Sequence, residues 1–273
     1  MRSVAYYGEP GSYSEYAAFT YFWSDVKLMP IKYLPEIFEA VERNVDYGVV
    51  PIENSIEGAV TQTYDMLLKH RVRIVGEHIV KISHCLLANE GVRLKDVKKV
   101  YSHPQALGQC REYIQKIKAD PIPYYDTAGS AKMVSQEKLK DSAAIASERA
   151  AKLYHLEILA KGIETNRYNF TRFFVISKKF RKVGKADKTS IVFSVKNTPG
   201  SLFSALTCFS VNRINLLLLQ SRPIVGRPWE YNFYVDCEGE ENQTALKDSI
   251  QRLREDTAFV KVLGSYPSAK GRV

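Results

Sequence analysis

Between Asn169 and Phe173 the chain sets an amide, a hydroxyl and a guanidinium among aromatic residues, as Asn169-Phe170-Thr171-Arg172-Phe173, and runs on through Phe174-Val175-Ile176. A hydroxyl in apolar surroundings can donate a proton without titrating near neutral pH, which suits it to assist a departing hydroxide. Aromatic and β-branched alternation is also what any half-buried strand shows, so the stretch gains chemical meaning only from polar turns earlier in the chain. Those turns are Glu53-Asn54-Ser55, Ser102-His103-Pro104-Gln105 with Gln109 one helical turn further on, and Asp126-Thr127.

Each such turn sits where a strand is expected to end and a helix to begin. Residues 2–7 read as a buried strand, and Ser12 with Glu15 forms a capping box that opens a helix. The two glycines of Gly8-Glu9-Pro10-Gly11 lack the third glycine and downstream acid of a dinucleotide fingerprint. A second helix is expected from Pro35, and the strand from Tyr47 to Ile52 delivers the Asn54 turn to a further helix. Ile74 to Leu87 is long for one strand and marks the expected crossing into a second lobe. A strand at 97–101 precedes Ser102 and Gln105, read as a capping box with Pro104 in the first turn. A short strand at 122–125 leads to the Asp126 turn and its helix, and a strand at 142–146 to a helix at 147–154. Four strands thus end in turns with free backbone N–H groups and the positive end of a helix dipole, an arrangement whose natural ligand is an anion. Two facing lobes of this kind suit a small ligand with a carboxylate at each end.

After a basic connector the pattern changes. A strand over 189–195, the turn Asn197-Thr198-Pro199-Gly200-Ser201 opening a helix through Leu202, strands at 214–220 and 230–237, a helix at 244–254 and a last strand at 260–263 make a βαββαβ order, the ferredoxin-like arrangement.

Composition narrows the function classes. The chain has 273 residues and a net charge of +9, and +5 of that lies between Lys178 and Lys188. A solvated linker accounts for the excess, and nucleic-acid binding has no motif to support it. Cys85, Cys110, Cys208 and Cys237 form no C-x-x-C pair, which points to free thiols in a reducing compartment and to neither zinc nor disulfides. The N-terminus shows no secretory leader pattern and the longest aliphatic run, Leu216 to Leu219, is too short to span a bilayer. A cytoplasmic location without membrane insertion is expected.

The separated motifs Gly8-Glu9-Pro10-Gly11-Ser12-Tyr13-Ser14, Pro51-Ile52-Glu53-Asn54-Ser55-Ile56-Glu57-Gly58, Ser102-His103-Pro104-Gln105-Ala106-Leu107-Gly108-Gln109-Cys110 and Asn169-Phe170-Thr171-Arg172-Phe173 resemble those of the prephenate dehydratases, over nearly the whole chain. The form resembled is the monofunctional one with a C-terminal ACT regulatory domain. Gly200-Ser201-Leu202-Phe203 stands where that family has G-A-L-x, and Gln220-Ser221-Arg222-Pro223 where it has E-S-R-P, so Gln220 lacks a charge. The resemblance implies an α/β fold, with a two-lobed catalytic domain like the type II periplasmic-binding proteins over 1–178 (lobes 1–80 with 163–178, and 81–162), a linker over 179–188, an ACT domain over 189–265 and a tail over 266–273.

It also implies the reaction, a carbon–oxygen lyase chemistry in which prephenate loses carbon dioxide and hydroxide to give phenylpyruvate in phenylalanine biosynthesis. No metal or other cofactor is expected. By similarity Thr171 is the proton donor, with Asn54, Ser102 and Gln109 in the catalytic set and Ser55, Glu53, Asp126, Arg172 and Phe173 about the substrate. Glu53 and Asp126 either orient donors or shape the cleft; Arg172 either meets a substrate carboxylate or pairs with an internal acid; His103 is either a general acid or a helix start. L-Phenylalanine is expected at Asn197, Gly200, Ser201, Leu202, Gln220, Ser221, Arg222 and Pro223, in a homodimer or homotetramer. Arogenate is the rival substrate, and a non-catalytic sensor of aromatic acids the rival class.

Overall fold

A computed structural model describes residues 1–179 and 184–269. Residues 180–183 of the expected linker and 270–273 of the expected tail lie outside the described residues.

In chain order, β1 (Arg2–Tyr7), α1 (Tyr13–Phe22), β2 (Val26–Ile31), α2 (Leu34–Arg43), β3 (Tyr47–Asn54), β4 (Gly58–Ala59), α3 (Thr61–Lys69) and β5 (Arg73–Lys81) build the first lobe. Its apolar strand residues and the Ile37–Phe38–Val41 face of α2 bury one another, which fixes helix against sheet. The chain then crosses to the second lobe: β6 (Cys85–Ala88), β7 (Lys99–Ser102), α4 (Pro104–Gln109), α5 (Arg111–Lys116), β8 (Asp120–Pro123), α6 (Thr127–Gln136), β9 (Ser142–Ala146), α7 (Glu148–Leu153) and β10 (Glu157–Lys161). It returns as β11 (Phe170–Ser177), which enters the first sheet between β3 and β5 and runs antiparallel to both. The first sheet is ordered β2-β1-β3-β11-β5 and the second β10-β6-β9-β7-β8. This is the two-lobed periplasmic-binding-protein-like architecture expected from the sequence.

The long apolar run from Ile74 to Leu87 is two strands, β5 in one sheet and β6 in the other, and Ile82-Ser83-His84 is the crossing. The strand β2 was not expected, because Pro30 interrupts its pattern. Pro30 is tolerated there because β2 is an edge strand and needs no second set of ladder bonds.

The third unit contains β12 (Lys188–Ser194), α8 (Ser201–Ser210), β13 (Leu216–Ile224), β14 (Arg227–Glu238), α9 (Thr244–Asp256) and β15 (Phe259–Tyr266), in the sheet order β13-β14-β12-β15 that defines a ferredoxin-like fold. Two details differ from expectation. Lys188, counted with a solvated linker, is buried and its ammonium lies 2.7 Å from Glu77, and Tyr266, counted with the tail, is the last residue of β15 and fully buried. The outer face of this sheet is core rather than surface: Val192, Tyr234, Leu263 and Tyr266 share one apolar cluster with Tyr64, Leu67, Ile74 and Phe174 of the first lobe. Gly264 allows the closest approach, since a Cβ there would run into the carbonyl oxygen of Ile74 on β5.

Candidate active site

A cleft of about 440 Å³ opens between the two lobes. Its floor is made where β11 meets β3. Because β11 arrives last, Thr171 pairs in register with Asn54 across 117 residues of sequence, and Asn54 Nδ2 donates to Thr171 Oγ1 at 3.0 Å. The same amide donates to Asn169 Oδ1 at 2.7 Å, and its own oxygen accepts from the backbone of Ile56 and Glu57 at 2.9 and 3.0 Å. Asn54 is therefore fixed by the turn that follows it, and it uses its donor on Thr171. Thr171 Oγ1 thus accepts from Asn54, its proton has no hydrogen-bond acceptor among the described residues, and its side chain lines the cleft.

The relay continues into the second lobe. Asn169, fully buried, donates from Nδ2 to Gln109 Oε1 at 2.8 Å, and His84 Nε2 meets the same oxygen at 3.0 Å. Burial lowers the His84 pKa, so the neutral ring donates from Nε2 while Nδ1 faces the Tyr13 hydroxyl at 3.3 Å. Gln109, on α4, is thus joined through Asn169 and Asn54 to Thr171. Asn169 and His84 carry no expected role in the sequence reading, although Asn169 opens the motif that contains Thr171; their partners lie too far along the chain for spacing to reveal.

The walls are helix starts. Ser12 caps α1 by accepting from Glu15 N at 3.2 Å, but the returning Glu15 carboxylate takes the amide of Gly11 rather than that of Ser12, and reaches Arg149 of the second lobe at 2.7 Å. Gly11, at φ +89°, has no room for a side chain, since a Cβ would stand 3.0 Å from the Ala150 backbone on α7. Asp126 caps α6 through Gly129 N at 2.7 Å. The start of α3 has no side-chain cap, and Val60, Thr61 and Gln62 line the cleft there. Among the described residues lining the cleft there is no Lys or Arg. An anion held here would rest on hydroxyls, amides and the starts of α1, α3 and α6.

Of the expected site residues, Thr171, Asn54, Gln109, Asp126 and Phe173 line this cleft, as do His103, Tyr7 and Tyr13. Burial keeps both tyrosines protonated, and Tyr13 donates to the Ser83 carbonyl at 2.6 Å. Burial also raises the Asp126 carboxyl to about 6, against the lowering effect of the Gly129 amide. Ser102, Ser55 and Glu53 are placed otherwise than expected, while His103 and Arg172 each take one of the two alternatives the sequence left open. Ser102 is the last residue of β7 and fully buried; its hydroxyl donates to the Ile145 carbonyl at 2.7 Å, so it holds the strands beneath the cleft instead of capping a helix. His103 is the cap, accepting from Gln105 N at 3.3 Å, and burial lowers its pKa. Ser55 stands at the rim, donating to the Tyr168 carbonyl and accepting from Phe170 N, both at 2.9 Å. Arg172 and Glu53 face away from the cleft because neighbours on a strand point to opposite sides, and they pair with each other at 3.1 Å behind it.

In the third unit Asn197, Ser201 and Leu202 line a hollow of about 110 Å³ with Trp229 and Phe233. Gly200, at φ +83°, is the N-cap of α8, within the turn expected to open that helix. Gln220, Ser221, Arg222 and Pro223 lie on the edge strand β13; Gln220 Nε2 donates to the Ser221 carbonyl, and the Arg222 guanidinium is engaged by Asp65 of α3 at 2.8 Å.

Among the described residues no helix is long and apolar enough to cross a membrane, and no group of three His, Cys, Asp or Glu is placed to hold a metal ion. All four cysteines are free and buried.

A hinged two-lobe domain with a hydroxyl and amide floor, fused to a ferredoxin-like unit, defines a class of small-acid enzymes or receptors. The comparisons make the class specific. Residues 4–181 match the family model "Prephenate dehydratase". The chain is 42% identical to arogenate dehydratase/prephenate dehydratase 2 of Arabidopsis thaliana, over 97% of this chain and 72% of that protein. It is 41% identical to the bifunctional chorismate mutase/prephenate dehydratase of Aquifex aeolicus, over 97% and 74%. The prephenate dehydratase of Arthrobacter aurescens, solved in complex with L-Phe, superposes with a TM-score of 0.90 at 31% identity, covering 98% of this chain and 90% of that one. The chain belongs to the prephenate dehydratase family, whose members are decarboxylating hydro-lyases.

Proposed function

We propose that this chain converts prephenate to phenylpyruvate in phenylalanine biosynthesis, with Thr171 as the proton donor. The observation that carries the reading is the Asn54–Thr171 hydrogen bond, which leaves the threonine proton directed into the cleft. As the ring carboxylate departs as carbon dioxide, its bonding electrons enter the ring and expel the hydroxyl as hydroxide, which takes a proton as it leaves. Thr171 supplies that proton in the transition state and takes one back from water afterwards, so that the net products are phenylpyruvate, carbon dioxide and hydroxide. The substrate carboxylates rest on the helix starts and hydroxyls of the walls, and Gln109 and Asn54 orient the rest. Ser55 borders the entrance, and Phe173 packs beside the reacting ring.

Arogenate carries an ammonium where prephenate has a keto oxygen and enters the same cleft in an alternative reading; the name of the Arabidopsis relative carries both substrates. The sensor alternative leaves the directed Thr171 proton without a purpose.

The third unit is read as an ACT domain that binds L-phenylalanine near Asn197, Ser201 and Leu202 and lowers turnover; the L-Phe complex of the Arthrobacter relative supports this. The edge strand β13, with Leu217 and Leu219 40% and 45% exposed, supports a homodimer or homotetramer formed through this unit. The boundary at 178 and a cytoplasmic site of action, consistent with the free thiols, belong to the same reading.

The test is release of phenylpyruvate from prephenate by purified protein, beside arogenate, with and without L-phenylalanine. Rapid product that Thr171→Ala abolishes supports the assignment. No product from either substrate by folded protein rejects catalysis, and an unchanged rate and melting temperature with phenylalanine reject the regulatory part.

A further inference from the structure

Behind Thr171 lies a second pairing that the reaction itself does not call for. Thr171 and Asn54 face each other across β11 and β3 on the cleft side; their chain neighbours Arg172 and Glu53 face each other in the same register on the reverse side, 3.1 Å apart. The guanidinium is buried, 13% exposed, and Nη1 alone makes hydrogen bonds to protein, to Glu77 at 3.3 Å and to a shorter-range partner, Asp236. Nε and Nη2 have no hydrogen-bond partner, Nη2 meeting Glu53 as an ion pair only. Asp236 belongs to β14 of the third unit and is 4% exposed, and its other oxygen accepts from Ser190 of β12, whose hydroxyl also meets that of Tyr266.

We infer that Asp236 is a positioning residue for the dehydration: by holding Arg172 it fixes the β11–β3 register that aims the Thr171 hydroxyl, so the third unit helps to set the active-site geometry. This rests on the reading of Thr171 as donor. The physical ground is the stiffness of a strand. Arg172 Cα is one residue from Thr171, so a guanidinium that loses Asp236 and repacks toward Glu77 pulls on the strand segment that carries both side chains. Misplacing a reacting group by about 1 Å costs on the order of 100-fold in rate. The cluster also tolerates the test. Among the described residues three acids, Glu53, Glu77 and Asp236, surround two cations, Arg172 and Lys188, so loss of the Asp236 charge leaves cations and anions matched.

Asp236→Asn keeps the shape and an acceptor for Ser190. In the full chain it should lower kcat by about 10- to 100-fold while KM for prephenate stays within about twofold, because ground-state binding by the walls is untouched. Asp236→Glu should recover part of the loss. In a Thr171→Ala background the same Asp236→Asn change should have no further effect on residual turnover, since the group being aimed is gone. A purely structural role would reduce folded protein and act equally in both backgrounds. If Asp236→Asn does not fold, Ser190→Ala removes only the hydrogen bond that orients Asp236 and should lower kcat several-fold by the same route. An unchanged kcat in Asp236→Asn, or in Ser190→Ala should that be the variant that folds, overturns the inference. A full-rate Thr171→Ala enzyme instead defeats the donor assignment on which it rests.

Discussion

Replacing Asn54 by aspartate reverses the hydrogen bond to Thr171 and sets a carboxylate oxygen against the acceptors of Asn169 and Phe170, and should be more harmful than removing the side chain. In the native site Nδ2 donates to Thr171 Oγ1 at 3.0 Å, to Asn169 Oδ1 at 2.7 Å and to the Phe170 carbonyl at 3.2 Å. Asn54→Asp preserves shape and the acceptor for the Ile56 and Glu57 amides, but every donor becomes an acceptor. The Thr171 proton is then drawn onto the new carboxylate by a charge-assisted bond worth about 1.5–3 kcal/mol. That is about 10- to 100-fold against the cleft-facing orientation at one decade per 1.4 kcal/mol. Loss of general-acid assistance itself is worth about 10²–10⁴. The expected kcat is thus down by about 10- to 100-fold, since molecules that still face the cleft keep their assistance, with KM little changed, in a steady-state phenylpyruvate assay. Asn54→Ala leaves the proton free and should fall less. The introduced carboxyl regains a donor when protonated, so the variant should recover relative to wild type as pH falls. An Asn54→Asp enzyme as active as Asn54→Ala, or more so, would refute the argument from hydrogen-bond direction.

Three further outcomes follow from the geometry. The Asp126 carboxyl, raised to about 6 mainly by burial, is neutral below that pH and repels a dicarboxylate above it; kcat/KM for prephenate should fall as pH rises through about 6, and Asp126→Asn, which still caps α6, should flatten that limb. Lys261 donates to the carbonyls of Leu67, Leu68 and His70 at 2.9, 3.1 and 3.0 Å, closing the C-terminal end of the helix whose start lines the cleft. Burial lowers its pKa. Lys261→Met should cost about 1–3 kcal/mol in urea unfolding, and an unchanged midpoint would show that water serves those carbonyls equally well. Gly264→Ala forces β15 off β5 and should destabilise by about 1–3 kcal/mol, read as a lower melting temperature; native-like melting would mean that the two units separate without strain.

What the sequence made legible was local pattern, and what it hid was long-range choice of partner. The Asp126 turn was readable because a cap and apolar periodicity are written within a few residues, whereas the turn after Asn54, expected to open a helix, leads instead into β4, and α3 begins only at Thr61 without a side-chain cap. Ser102 misled for the same reason. Its spacing to Gln105 satisfies a capping box, yet β7 extends through it and the Ile145 carbonyl of a neighbouring strand claims its hydroxyl, moving the cap one residue on to His103. Asn169 was visible only as part of a motif, because its meaning lies in Asn54 and Gln109, 115 and 60 residues away.

Arg172 is the most instructive case, since the sequence admitted two partners and strand geometry chooses between them. The alternation that points Thr171 and Phe173 into the cleft necessarily turns Arg172 out of it, toward whichever surface packs behind the first sheet. In a domain standing alone that surface would be water; covered by the third unit, the guanidinium is buried and needs acids to receive it. Here the third unit supplies Asp236, while the first lobe supplies Glu53 and Glu77. A strand with a proton donor on one face and an interdomain ion cluster on the other cannot move on one side alone. If Asp236 positions Thr171 as inferred, a ligand that shifts the third unit should change kcat through Arg172, and Asp236→Asn should weaken that response; an equal response in both proteins would refute the route.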